Sequence, residues 1–331
     1  MLRFPVLIGD IGGTNARFAV VPAREAAPIA LPRLLTGDFD GPAPALATAL
    51  ASYPGPRPEA ALLAIAAPVQ GAVVPMTNTG WVVDCARVAA ELGLRAVALM
   101  NDYVPVAIAL AELSEEQGHL VRIGPALPAG GGPRVVLGPG TGLGAAALVP
   151  VGRKLVVVPT EAGHVEFGPE NADEAALWAH VERVGGRITA ETLLSGPGLA
   201  RLYRALAALR GAKPRFEEAR DIDAAGQGGE PLAAEALNLF ARLLGRFAGD
   251  LALIFGATGG VFLGSGIAPR MIGVLNSGGF RAAFERKQPH DALMRRVPTF
   301  VVTHPEPALH GLGMIAADEE RFVFEAHGAP A

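Results

Sequence analysis

Cysteine is almost missing, with Cys85 the only one in 331 residues. One thiol excludes an internal disulfide and a thiolate-rich zinc site, and it suits a reducing, cytoplasmic setting. Lysine is scarce as well. Lys154, Lys213 and Lys287 are the three lysines among 28 basic residues, and none follows a glycine-rich turn. A lysine-based phosphate grip is therefore not expected, and no G-x-x-x-x-G-K-[ST] segment occurs. No run approaches the ~20 apolar residues of a membrane span, and Phe4 to Ile8 is too short for a signal-peptide core. Nor is charge of one sign in excess: a net -4 gives no electrostatic footprint for nucleic acid or an anionic membrane. What the chain does have is apolar content, at 50% hydrophobic and 18% charged residues, enough for a large core. Its length favours two domains over one.

Short Val/Ile/Leu runs alternate with longer amphipathic stretches, the pattern of an α/β fold. One unit occurs twice. Pro5 to Val21 reads as strand, glycine turn, strand, and so does Arg134 to Val149, about 130 residues later. That spacing suits two related halves rather than a short-period solenoid. Ala60 to Ala67 and Ala96 to Met100 read as buried strands, with Asp84 an N-cap for a helix through Leu92. The Gly/Pro-rich stretch Pro125 to Pro133 reads as a loop connecting the halves. Pro231 opens a predicted long helix whose Leu237, Phe240, Leu244, Phe247, Leu251 and Ile254 form one apolar face, stopped by Gly256 to Gly260. Val261 to Leu263 then runs as a strand into a third glycine turn, Gly264-Ser-Gly-Ile267, and an amphipathic tail from about Leu312 to Phe324 packs back on one half.

Three groups of residues carry chemistry. In Asp10-Ile-Gly-Gly-Thr-Asn15, Gly12 and Gly13 let backbone N–H groups approach phosphate oxygens and Thr14 adds a hydroxyl, while Asp10 suits the water shell of Mg²⁺. A tight hairpin explains one such turn by itself; a second, Gly138 to Gly144, weakens that explanation. The second turn also fits a dinucleotide fingerprint, with Gly140, Gly142 and Ala145 and then Glu161 about twenty residues on. That motif needs a helix at the glycines, whereas Pro150 and the turn Val151 to Lys154 favour a hairpin. Next, Asn101-Asp102 follows a strand, where an aspartate can take a hydroxyl proton, although a helix cap at Tyr103 is as common a use of the pair. Last, Glu161-Ala-Gly-His164 and Glu191 offer acids and an imidazole suited to adjacent sugar hydroxyls. Pro159 and Gly163 make the helix of an E-x-x-H metal site improbable.

In this order the motifs resemble the bacterial glucokinases, the non-repressor-type family of the hexokinase, actin and sugar-kinase superfamily. The likeness rests on Gly9 to Arg17, Met76-Thr-Asn78 with Trp81, Asn101-Asp102, Gly140 to Gly144, Glu161 to His164, Leu194 to Leu199, Gly245 to Phe247, Gly259-Gly260, Gly266-Ile267 and Pro269-Arg270. It implies two α/β domains of the actin-like, ribonuclease H-like kind with a ligand cleft between them. Residues 1–110 would form the small domain, completed by a C-terminal helix at about 312–331, and residues 111–311 the large one. The implied reaction moves the γ-phosphoryl group of MgATP to the 6-hydroxyl of glucose, with Asp102 as general base. Asn78, Asn101, Asp102, Glu161, His164 and Glu191 would line the sugar pocket. Asp10, Gly12, Gly13, Thr14 and Asn15 would form the first phosphate loop, Gly140, Thr141 and Gly142 the second. Gly264, Ser265 and Gly266 would lie near the adenosine, and a homodimer is implied. Ala162 and Ser265 stand where the family commonly has glycine. A kinase of another hexose, a non-catalytic sugar sensor and an NAD(P)-dependent dehydrogenase are the alternatives.

Overall fold

The apolar runs do become strands, and the computed structural model describes residues 3–76, 79–128, 130–264 and 266–330. Internal contacts divide the chain into a first unit of Met1–Leu113, Leu148–Pro159 and His304–Ala331, and a second of Ser114–Ala147 and Thr160–Thr303. The loop at Pro125 to Pro133 thus lies inside the second unit, and no sequence signal marked the excursion Leu148–Pro159.

The first unit begins with β1 (Val6–Ile11), β2 (Asn15–Val21), β3 (Ile29–Ala30), β4 (Leu34–Leu35), β5 (Ala60–Ile65), β6 (Val73–Pro75), β7 (Val82–Asp84) and β8 (Ala96–Asn101). β1 pairs antiparallel with β2 and parallel with β5, which pairs parallel with β8. β5 is buried along its whole length and reads as an unbroken apolar run, as a strand covered on both faces must. Asp84 caps the helix Cys85–Leu92 by accepting from the Ala86 and Arg87 N–H groups, and Gly93 closes it in the left-handed region.

The second unit contains β9 (Leu120–Ile123), β10 (Arg134–Pro139), the start of β11 (Leu143–Val151), β13 (Gly260–Leu263) and β14 (Thr299–Val302), in the order β11-β10-β13-β14-β9. β13 runs parallel with both β10 and β14, and β9 is antiparallel to β14. The outer part of β11, β12 (Lys154–Thr160) and β15 (Phe322–Val323) group with the first unit, apart from Thr160. The last strand, β16 (His327–Pro330), pairs antiparallel with β8. Each unit therefore repeats one series: a hairpin strand, a central strand, two parallel strands and an antiparallel edge. It is β2-β1-β5-β8-β16 in the first and β11-β10-β13-β14-β9 in the second. The expected mixed α/β duplication is present in the topology.

The long helix spans Pro231–Phe255, with Glu230 accepting from the Ala233 N–H at its start and Gly256 at φ 58° at its end. Leu237, Phe240, Leu244, Phe247 and Leu251 are buried as expected, but Ile254 is 71% exposed. Ile254 stands in the last turn, past Ala252, the last buried residue of the helix, so the covering of its apolar face ends before it. Gly249 lets the helix Gly279–Glu285 pack closely, since a Cβ there would sit 2.7 Å from the Phe284 carbonyl oxygen. The tail also differs from expectation. Its helix is Pro307–Ala317, and the chain beyond forms β15 and β16 rather than a helix through residue 331. No helix among the described residues is long and apolar enough to cross a membrane.

Candidate active site

In the first unit, the hairpin β1–β2 places Asp10 opposite Arg17, whose Nη1 donates to Asp10 Oδ2 at 3.0 Å. Burial pushes the Asp10 carboxyl above its ordinary range, opposed by Arg17 and reinforced weakly by Glu306. The turn between these strands is closed by the Gly12 N–H donating to the Asn15 carbonyl at 2.9 Å. Thr36 holds it from outside: its hydroxyl donates to the Gly13 carbonyl at 2.9 Å and its N–H to the Thr14 carbonyl at 3.1 Å. Those two carbonyl oxygens, which would repel a phosphate, are thereby engaged with protein. Arg33 Nε donates to Asn15 Oδ1 at 3.1 Å. Thr36 was missed in the sequence because it lies more than twenty residues from the turn, in no motif.

Asn101 ends β8 and Asp102 follows it, its N–H donating to the Ile65 carbonyl at 3.0 Å. Asn101 Nδ2 donates to the Ala67 carbonyl at 3.3 Å, and its Oδ1 accepts from the Tyr103 N–H at 2.9 Å. Asn101 thus does the local capping work, and the Asp102 carboxylate makes no side-chain capping bond to the helix Tyr103–Ala109. Desolvation, then the charges of Asp102 and Asp10, push the Tyr103 phenol up. Both acids therefore lie within electrostatic reach of one ring. Asn78 falls outside the described residues.

In the second unit, the turn between β10 and β11 is closed by the Gly140 N–H donating to the Gly142 carbonyl at 2.8 Å, while the Gly196 N–H donates to the Gly140 carbonyl at 2.8 Å. Three residues separate the strands, so a hairpin and not a helix follows the glycines. The dinucleotide fingerprint fails on that point. The Leu143 N–H donates to Glu191 Oε2 at 2.8 Å. Glu191 stands in the short helix Ala190–Leu193, fixed by a capping box of Thr189 and Thr192. Glu161 to His164 forms one 3-10 turn, with His164 Nε2 3.7 Å from Glu161 Oε2 and Nδ1 4.0 Å from Glu191 Oε1. Glu161 and His164 are about half exposed and Glu191 a third, so the cluster is open to a ligand. Gly264 N–H donates to the Leu137 carbonyl at 2.8 Å, which sets the third glycine turn beside the end of β10. Gly266 follows in a turn, and Ser265 lies outside the described residues.

The two units thus each present a glycine turn with acids near it, the first with two acids around one phenol and the second with an acid and imidazole cluster. The model of the Glucokinase family matches residues 7–319. A glucokinase of Chelativorans sp. (strain BNC1) is 44% identical over 99% of this chain and 96% of its own length. Among solved structures, a glucokinase from an Antarctic psychrotroph has a TM-score of 0.83 at 32% identity, covering 96% of this chain and 99% of that one. The fold of a Balamuthia mandrillaris glucokinase, solved in complex with glucose, matches with a TM-score of 0.77 at 24% identity over 94% and 93% of the two chains.

The class defined by this fold and these relatives is the ATP-dependent sugar kinases, phosphotransferases of the actin-like two-domain kind. Within it, the chain belongs to the glucokinase family.

Proposed function

We propose that the chain transfers the γ-phosphoryl group of ATP to the 6-hydroxyl of glucose, giving glucose 6-phosphate and ADP, with Asp102 as general base. The observation that supports the assignment is at the end of β8, where Asp102 follows a strand that runs parallel to β5 and lies, with Asp10, within electrostatic reach of the Tyr103 ring. As the hydroxyl oxygen bonds to phosphorus, its proton passes to the Asp102 carboxylate, and the bond to the bridging oxygen breaks to leave ADP. Asn101, Glu161, His164 and Glu191 are assigned to the sugar hydroxyls, together with Asn78. Gly12 to Asn15 and Gly140 to Gly142 are assigned to the phosphates, and Gly264, Ser265 and Gly266 to the adenosine. Backbone N–H groups in such turns stabilise charge spread over phosphoryl oxygens without needing a lysine.

Mg²⁺ is the implied companion of ATP, and the donor set fits it. Among the described residues no three of His, Cys, Asp or Glu converge to hold a metal ion unaided. Asp10 offers one desolvated carboxylate beside the first turn, which suits an ion held mostly by water and phosphate oxygens. Bound there, the ion would neutralise charge on the β- and γ-phosphates. Arg17 holds Asp10 in line through the bond to Oδ2, and its charge opposes the upward push of burial on the carboxyl. A cytoplasmic homodimer acting in glycolysis is inferred from the family resemblance.

The test is a coupled assay of ADP formation with glucose, mannose, fructose and glucosamine as acceptors. ADP formed fastest with glucose, and only slowly with water alone, supports the reading. Turnover led by another hexose would replace glucose in the proposal, and no ADP with any of them would leave a sugar sensor.

A further inference from the structure

The second glycine turn and the acid cluster of the second unit share one residue, Leu143. Leu143 donates its N–H to Glu191 Oε2, and its carbonyl oxygen lies where a Cβ on Gly163 would fall. Gly142 just before it is bare on the side facing the same carboxylate: a Cβ there would stand 2.5 Å from Glu191 Oε2. The Glu191 backbone is fixed, so the carboxylate can retreat only by turning its own side chain and giving up the Leu143 N–H. Its helix starts with the capping box of Thr189 and Thr192, and the Ser195 hydroxyl donates to its carbonyl at 2.8 Å. Its other oxygen, Oε1, faces His164.

From this geometry we infer that Gly142 is a positioning residue for the sugar. With the Leu143 N–H it seats one oxygen of Glu191, so that the other is presented beside His164 to a sugar hydroxyl. The inference rests on the proposed reading of Glu191 as a sugar ligand. It gives the turn two duties: the backbone assigned to phosphate also sets sugar affinity. In the reverse direction, Glu191 braces the turn for nucleotide. A carboxylate held by a backbone donor at one oxygen is pre-organised at the other, and losing the seat costs affinity without removing any sugar contact directly.

Glucose binding is measured by calorimetry without nucleotide on the wild type, Gly142→Ala, Glu191→Asp and the double variant. Gly142→Ala is expected to weaken glucose about tenfold or more, since a misplaced acceptor loses a charged hydrogen bond. Aspartate draws the carboxylate back from the added methyl, so the double variant should lose clearly less than the product of the two single losses. A Gly142→Ala affinity within twofold of wild type overturns the inference, and so does a double loss equal to that product. Should Gly142→Ala fail to fold, the reverse direction decides through ADP affinity measured without sugar. Glu191→Ala should weaken ADP several-fold, whereas Glu191→Gln, which keeps an acceptor for the Leu143 N–H, should stay within about twofold. Equal ADP affinities for Ala and Gln overturn it. A wild type that binds no glucose would instead defeat the functional reading itself, so the two failures are separable.

Discussion

The two glycine turns occupy the same place in two copies of one strand series, yet they are gripped differently. Thr36 grips the first through its carbonyls, and the acid nearby, Asp10, is desolvated and paired with Arg17. Glu191 grips the second through an N–H, and the residues nearby, Glu161 and His164, stand half open. On the proposed reading, a hydroxyl engaged with carbonyls leaves the first turn to phosphate alone. A carboxylate with one oxygen on the turn and one beside an imidazole ties it to whatever the imidazole binds. Duplication thus supplied one backbone device twice, and the gripping side chain decides what else each copy controls. On the proposed reading the base for turnover lies in the first unit, while the acid and imidazole cluster of the second supplies most of the sugar affinity, alongside Asn78 and Asn101 of the first.

The sharpest way to break that division is Asp102→Asn. Turnover in the ADP assay should fall by roughly two to four powers of ten, the range of a lost general base. Near-normal turnover would remove chemistry from the first unit. On the other side, Glu161→Ala or His164→Ala should raise the glucose KM roughly ten- to a hundredfold, as when a charged hydrogen bond is lost, and move the ATP KM by less than about threefold. Equal shifts in both constants would take these residues out of the sugar site.

The turns themselves can be contrasted with one methyl group. At Gly12 the nearest atom to an added Cβ is the Asn15 carbonyl oxygen at 3.4 Å, far looser than at Gly142. Gly12→Ala should therefore fold with a Tm within about 3 °C of wild type and bind glucose normally without nucleotide, while weakening ATP. A glucose affinity as damaged as in Gly142→Ala would erase the difference between the turns.

A smaller effect reports on the first unit alone. Cys85 is buried, its thiol donates to the His327 carbonyl at 3.9 Å, and burial pushes its pKa from 9.0 to about 11. A thiol raised in the fold contributes stability that is intact below pH 9 and lost as pH rises towards 11, because the unfolded chain ionises first. Relative to Cys85→Ala, the wild type should lose about 2–3 kcal/mol over that window in urea unfolding. A constant difference across the window would contradict it.

Much of this architecture was legible in the sequence for plain reasons. The repeated strand–glycine–strand pattern, the Pro231 to Gly256 helix and the Asp84 cap are local signals, and local physics decided them. Asn101-Asp102 stood out because two polar residues end an apolar strand, but only the structure shows which of them caps the next helix. Ile254 was misread because spacing alone does not show where the covering of a helix face ends, which here is at Ala252. Strand β16, His-Gly-Ala-Pro, has no alternation to reveal it and exists through pairing with β8. Thr36 and the seat of Glu191 on Leu143 are contacts between distant segments, which no motif spells out.

The division between turnover and recognition is tested most directly by glucose affinity without nucleotide, measured side by side on Asp102→Asn and His164→Ala. The account predicts that Asp102→Asn stays within about threefold of the wild type while His164→Ala is at least about tenfold weaker. The opposite order, with glucose lost in Asp102→Asn and kept in His164→Ala, would contradict it.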